Sequence, residues 1–70
     1  MELSADELAA LRNLRDGVTD WRKPFGLLQA GVVTIRFKDA GLIKKKVIGG
    51  WELTSAGKVA IEAAEGKKRN

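Results

Sequence analysis

Leu8, Leu11 and Leu14 recur about one helical turn apart, with small or polar residues between them, so they lie along one face of a helix. The residues just before them supply a start signal. Ser4 followed by Glu7 forms a capping box: the serine hydroxyl accepts from an early amide, and the glutamate side chain accepts from the cap's own N–H. Leu3 and Leu8 flank the cap at the spacing of a hydrophobic staple, and Asp6 and Glu7 sit near the positive end of the helix dipole. Arg12 and Arg15 occupy the last turns, and Gly17 marks the stop. This pattern predicts an amphipathic helix facing a core.

A similar pattern closes the chain. Thr54 or Ser55 is a cap, and Ala56, Val59, Ala60 and Ala63 form a narrow stripe of small residues that lets another element come close. Gly66 is read as the end of this helix, with Lys67, Lys68 and Arg69 as a basic tail. Between the two helices, Leu42 to Ile48 and Trp51 to Leu53 read as strands joined at Gly49-Gly50, a pair that reaches positive φ without steric cost. Leu42, Lys44, Lys46 and Ile48 share one face of the first strand, and Ile43, Lys45 and Val47 share the other. Neither face is clean. If Ile43 and Val47 face the core, either Lys45 lies inward near an edge or a bulge intervenes, and Lys44 and Lys46 look outward.

The middle of the chain gives two answers. Thr19 or Asp20 starts a short helix, but Pro24 cannot sit deep inside one. The run Val32 to Phe37 is rich in β-branched residues and reads as a strand on propensity. On helical spacing, Ala30, Val33, Phe37 and Ala40 (or Gly41) line one face, which leaves Gln29, Thr34, Arg36 and Lys38 largely outside it.

Composition narrows the function classes. Seventy residues hold one domain with one small core, assigned to residues 1–66 with 67–70 as the tail. There is no cysteine and no histidine. That excludes disulfides and thiolate metal sites, and removes the commonest general base and zinc ligand. Asp16, Asp20 and Asp39 lack the spacing of a metal site, and a core this small has no room for a deep cleft. The expectation is a non-enzyme without cofactor, metal or small-molecule ligand. Thirteen Lys plus Arg against nine Asp plus Glu give net +4 and an attraction to polyanions. No apolar run reaches membrane-span length, and the first residues carry acids where a signal peptide needs bases, so a soluble cytoplasmic protein is expected.

Two segments carry a resemblance. Phe37-Lys38-Asp39-Ala40-Gly41-Leu42-Ile43 resembles the place where a recognition helix enters the first wing strand of a winged helix-turn-helix domain. Trp51-Glu52-Leu53-Thr54-Ser55-Ala56-Gly57-Lys58 is similar to the aromatic-x-Leu-Thr-x-x-Gly-Arg/Lys segment that leads from the second wing strand into the closing helix. Together they cover roughly the last half of the chain, in the family's order. The resemblance implies an α+β fold with three N-terminal helices, a two-stranded β-hairpin wing and a closing C-terminal helix, and it favours the helical reading of Val32 to Phe37. The chain departs from the family at Pro24, where a compact second helix belongs, at Gly31 inside the recognition helix, and in the short Gly49-Gly50 loop.

The resemblance also implies double-stranded DNA as partner, with the third helix in the major groove and the hairpin on the backbone. Arg36 and Lys38 are then the charged candidates on the helix, with Gln29 and Thr34 beside them; arginine suits guanine and glutamine suits adenine. Lys44, Lys45 and Lys46 neutralise phosphates, and Arg22 and Lys23 reach the backbone from the other side. The expected role is a small transcriptional regulator, or an accessory protein of a phage or mobile element. Lysines on an edge strand also guard against aggregation, which is the plainer reading of that run. The alternative function is a winged-helix protein-interaction module or homodimer that does not bind DNA; an exposed Ile35 or Val32 on the third helix favours it. A strand at Val32 to Phe37 instead implies a three-stranded sheet and RNA as ligand. Trp51 is assigned to the core between hairpin and first helix, and Trp21, beside Arg22 and Lys23, is a candidate for a dimer surface.

Overall fold

Ser4 caps the first helix as its neighbours dictate. Its hydroxyl accepts from the Glu7 N–H at 3.2 Å, and Glu7 Oε1 accepts from the Ser4 N–H at 2.9 Å. Helix α1 follows over Ala5–Arg15. The computed structural model describes the backbone of residues 3–68 and the side chains of residues 3–66. After α1 come α2 (Leu27–Asp39), β1 (Ile43–Lys45), β2 (Trp51–Leu53) and α3 (Ser55–Lys68). The fold is a small α+β domain of three helices and one antiparallel hairpin among the described residues.

Two helices precede the hairpin where three were expected. Between α1 and α2 the chain turns: the Lys23 N–H donates to the Asp20 carbonyl and the Phe25 N–H to the Arg22 carbonyl, both at 2.9 Å. Pro24 accounts for this, since it has no N–H to donate and its ring disfavours helical backbone at Lys23. The β-branched run Val32 to Phe37 lies wholly inside α2, so the three-stranded sheet is overturned. Val33 and Phe37 are buried, and that burial outweighs the weak strand propensity of the run.

The Gly41-Leu42 pair ends α2. The Leu42 N–H donates to the Phe37 carbonyl at 2.9 Å and the Gly41 N–H to the Lys38 carbonyl at 3.0 Å, with Gly41 at φ +78°. This is a Schellman ending, which needs a left-handed residue, and Leu42 is buried against the core just after it. Gly17 ends α1 with the same pair of bonds, to Leu14 and Asn13.

The hairpin is shorter than expected. Ile43 pairs with Leu53, Lys44 with Glu52 and Lys45 with Trp51, and the chain then loops through residues 46–50, closed by the Lys46 N–H on the Gly50 carbonyl at 3.0 Å. A two-residue turn and a strand to Ile48 are therefore corrected. Val47 and Ile48 would have no core beneath them at that distance, and they stand fully exposed at the tip.

Helix α3 is tied at its start. Thr54 Oγ1 accepts from the Gly57 N–H at 3.0 Å and donates to the Gly41 carbonyl at 2.6 Å, while the Thr54 N–H donates to the Leu42 carbonyl at 3.0 Å. The helix continues through Gly66 to Lys68, so Gly66 is not its end; Arg69 and Asn70 of the expected tail lie outside the described residues. Its buried face is Gly57 and Ile61 with Ala60 and Ala64, whereas Ala56, Val59 and Ala63 are exposed. The expected stripe is displaced by about one residue, because burying Ile61 removes more apolar surface than burying Val59.

The core joins Leu8, Ala10 and Leu11 of α1, Val33 and Phe37 of α2, Leu42, Ile43 and Ile61. Trp21 completes it at 4% exposure, its ring 6.5 Å from that of Phe37. Trp21 is thus core and not a dimer surface. Trp51 is half-buried and packs against the outside of the same cluster.

Candidate nucleic-acid interface

The residues proposed to meet DNA divide into two groups. The first is engaged inside the chain. Thr34 is buried, its hydroxyl donating to the Ala30 carbonyl at 2.8 Å and accepting from Arg22 Nη1 at 3.1 Å. It faces the core side of α2, so it is corrected as a groove contact. Arg22 is half-buried, with its guanidinium 4.9 Å from the Trp21 ring centroid. Stacking on the indole and donating to Thr34 hold it as a lid over the tryptophan, away from a backbone-gripping role.

Arg36 closes a pair with Glu7. Its Nη1 lies 3.0 Å from Glu7 Oε2, an oxygen that is buried and has no aligned hydrogen-bond donor. The distance marks a charge contact without good hydrogen-bond geometry. Glu7 thus serves two ends: Oε1 completes the capping box and Oε2 holds α2 against α1 through Arg36. Arg12 meets Glu65 at 2.7 Å and Arg15 meets Asp16 at 3.2 Å. Every described arginine therefore has a partner within the chain.

The lysines differ. Lys23, Lys38, Lys45, Lys46 and Lys58 are exposed and have no ion-pair partner among the described residues. Lys44 sits opposite Glu52 in the hairpin register, 3.4 Å from its Oε1, at an exposed site where such a pair is weak. Lys45 shares the face of Ile43 but lies beyond the edge of the core, which resolves the mixed face of β1: the strand is short and runs out past the packed residues. The structure brings Lys44, Lys45 and Lys46 together on one projecting ribbon and does not bring Arg22, Thr34 and Arg36 to it.

The outer face of α2 carries more apolar surface than the Ile35 or Val32 expected there. Gln29 and Lys38 are exposed as expected, but so are Leu27 at 99%, Leu28 at 92%, Val32 at 59% and Ile35 at 60%. Leu28, Val32 and Ile35 follow at i, i+4 and i+7, a line readable in the sequence and opposite the Val33–Phe37 line.

Among the described residues, no group of three or more His, Cys, Asp or Glu side chains is placed to hold a metal ion, and no helix is long and apolar enough to cross a membrane. No protein-family model, curated protein or solved structure matches this chain.

Proposed function

We propose that this protein binds double-stranded DNA by gripping the phosphate backbone with its basic hairpin, as a small winged-helix-like regulator or accessory protein of a phage or mobile element. The observation that carries this reading is the division of cations: every described arginine has a partner within the chain, while Lys45 and Lys46 stand exposed on the hairpin with no ion-pair partner among the described residues, beside Lys44, which is only weakly paired with Glu52. Lysine is a point charge suited to phosphate, whereas arginine's planar fork is the better reader of guanine. Exposed lysines beside arginines engaged within the chain favour backbone binding of low sequence preference. The order of helix, hairpin and closing helix supports the winged-helix comparison, although the compact second helix of that family has no counterpart.

Titration of duplex DNA at several salt concentrations is the test. Three phosphate contacts give a slope of log K against log salt of about −3. The double substitution Lys45→Ala/Lys46→Ala reduces the magnitude of that slope by about 2, and Arg36→Ala leaves it nearly unchanged. Affinity that is undetectable at low salt, or indifferent to salt, refutes the reading.

A second reading rests on α2. Four large apolar side chains exposed on one short helix mark a surface for a protein partner.

A further inference from the structure

We infer that the outward face of α2 is a homodimer interface, on which a second copy of this chain packs its own α2 antiparallel. This rests on the exposed face of α2 and stands apart from the hairpin's binding of DNA. Leu28, Val32 and Ile35 fall within about 60° of one another around the helix, and Gly31 borders them. The positions 28, 31, 32 and 35 read the same in both directions about a point between Gly31 and Val32. A two-fold axis there sets Leu28 against Ile35 of the second copy and Val32 against the second copy's Gly31. The face is therefore complementary to itself, as an isologous contact requires.

Gly31 has no explanation within one chain. It lies mid-helix, a Cβ built on it meets nothing within 4 Å, and alanine is the better helix former. Facing a second helix, the missing Cβ becomes the hole that receives Val32 and lets the two backbones come close. Charge selects the antiparallel arrangement. Arg36 and Lys38 lie in the last turn and no acid lies in the first; Arg36 is already met by Glu7, so it is chiefly Lys38 that parallel helices would set beside its own copy. The antiparallel pair sets the two copies of Lys38 roughly 20 Å apart along the axis and those of Arg36 about 13 Å apart. It also brings the exposed Asp39 toward the N-terminus of the other helix, where Gly26 supplies no side-chain cap. The apolar side chains offer on the order of 500 Å² per copy, about 1,000 Å² for the pair, which is the lower edge of specific interfaces and implies weak association.

Sedimentation equilibrium of the full 70-residue chain from about 10 µM to 1 mM tests this, with dissociation in the range of tens of micromolar expected. Leu28→Lys and Ile35→Glu each replace an exposed side chain and are expected to leave the circular dichroism spectrum unchanged. Each alone is expected to weaken association at least tenfold. An equimolar mixture of the two variants is expected to recover most of it. Antiparallel packing sets the introduced lysine of one copy against the introduced glutamate of the other, whereas parallel packing does not. Gly31→Ala is expected to raise the melting temperature of the dilute monomer and yet weaken the dimer several-fold. A chain that stays monomeric to 1 mM overturns the inference. Higher aggregates without a dimer, or a mixture no tighter than its components, overturn it as well.

Discussion

Substituting Gly57 by alanine tests how α3 is seated. In most helix interiors this change stabilises by up to about 1 kcal/mol, because alanine is the better helix former. Here a Cβ would stand 2.3 Å from the Leu42 carbonyl oxygen and 2.8 and 2.9 Å from Leu53 Cδ1 and Cγ. Leu53 can shift, but the carbonyl is backbone and already accepts from the Thr54 N–H at 3.0 Å. Relieving the overlap moves the start of α3 outward by about 1 Å, which strains that bond, the Thr54–Gly41 bond and the packing of Ile61, at about 1–3 kcal/mol for overpacking and about 1 kcal/mol for a weakened hydrogen bond. The net expectation is a loss of about 2–3 kcal/mol, or roughly 10–20 °C in melting temperature for a domain of this size. A chain of 70 residues has about 4–10 kcal/mol in all, so the loss is large. Urea denaturation followed by tryptophan fluorescence reads it. Gly66→Ala is the control in the same helix, with open space around its Cβ and a gain of up to about 1 kcal/mol expected. Gly57→Ala as stable as the natural chain would refute the argument that close approach requires this glycine.

Arg36→Ala leaves the Glu7 carboxylate, 6% exposed, without its counter-charge, and is expected to cost about 1–2 kcal/mol, a figure lowered by the half-exposure of Arg36. Adding Glu7→Gln is expected to restore part of the loss, and a double-mutant cycle by urea denaturation that shows no coupling would sink the proposed link. Trp21→Ala is expected to cost about 3–5 kcal/mol and Trp51→Ala about half as much, following their burial, with circular dichroism reporting the melting of each. The reverse order would mean that the turn between α1 and α2 does not carry the core.

Local signals account for what the chain settled alone. The Ser4–Glu7 box and the Leu8–Leu11 spacing place α1, Gly41-Leu42 ends α2, and Thr54 caps α3, because each depends on residues within a turn or two of one another. The lysine run was equally plain as a run of charge.

What needed the folded chain were the choices between faces and partners. Thr34 lies on the same helix as Gln29 and Lys38, and only the folded chain, which lays Arg22 against its hydroxyl, decides that it is buried. Arg36 reads as a free cation until α1 brings Glu7 to it from 29 positions away, and Arg12 until α3 brings Glu65 from 53 positions away. Periodicity lays residues on a face. Which face becomes interior, and which charge finds a counter-charge, depends on long-range packing that no local spacing encodes.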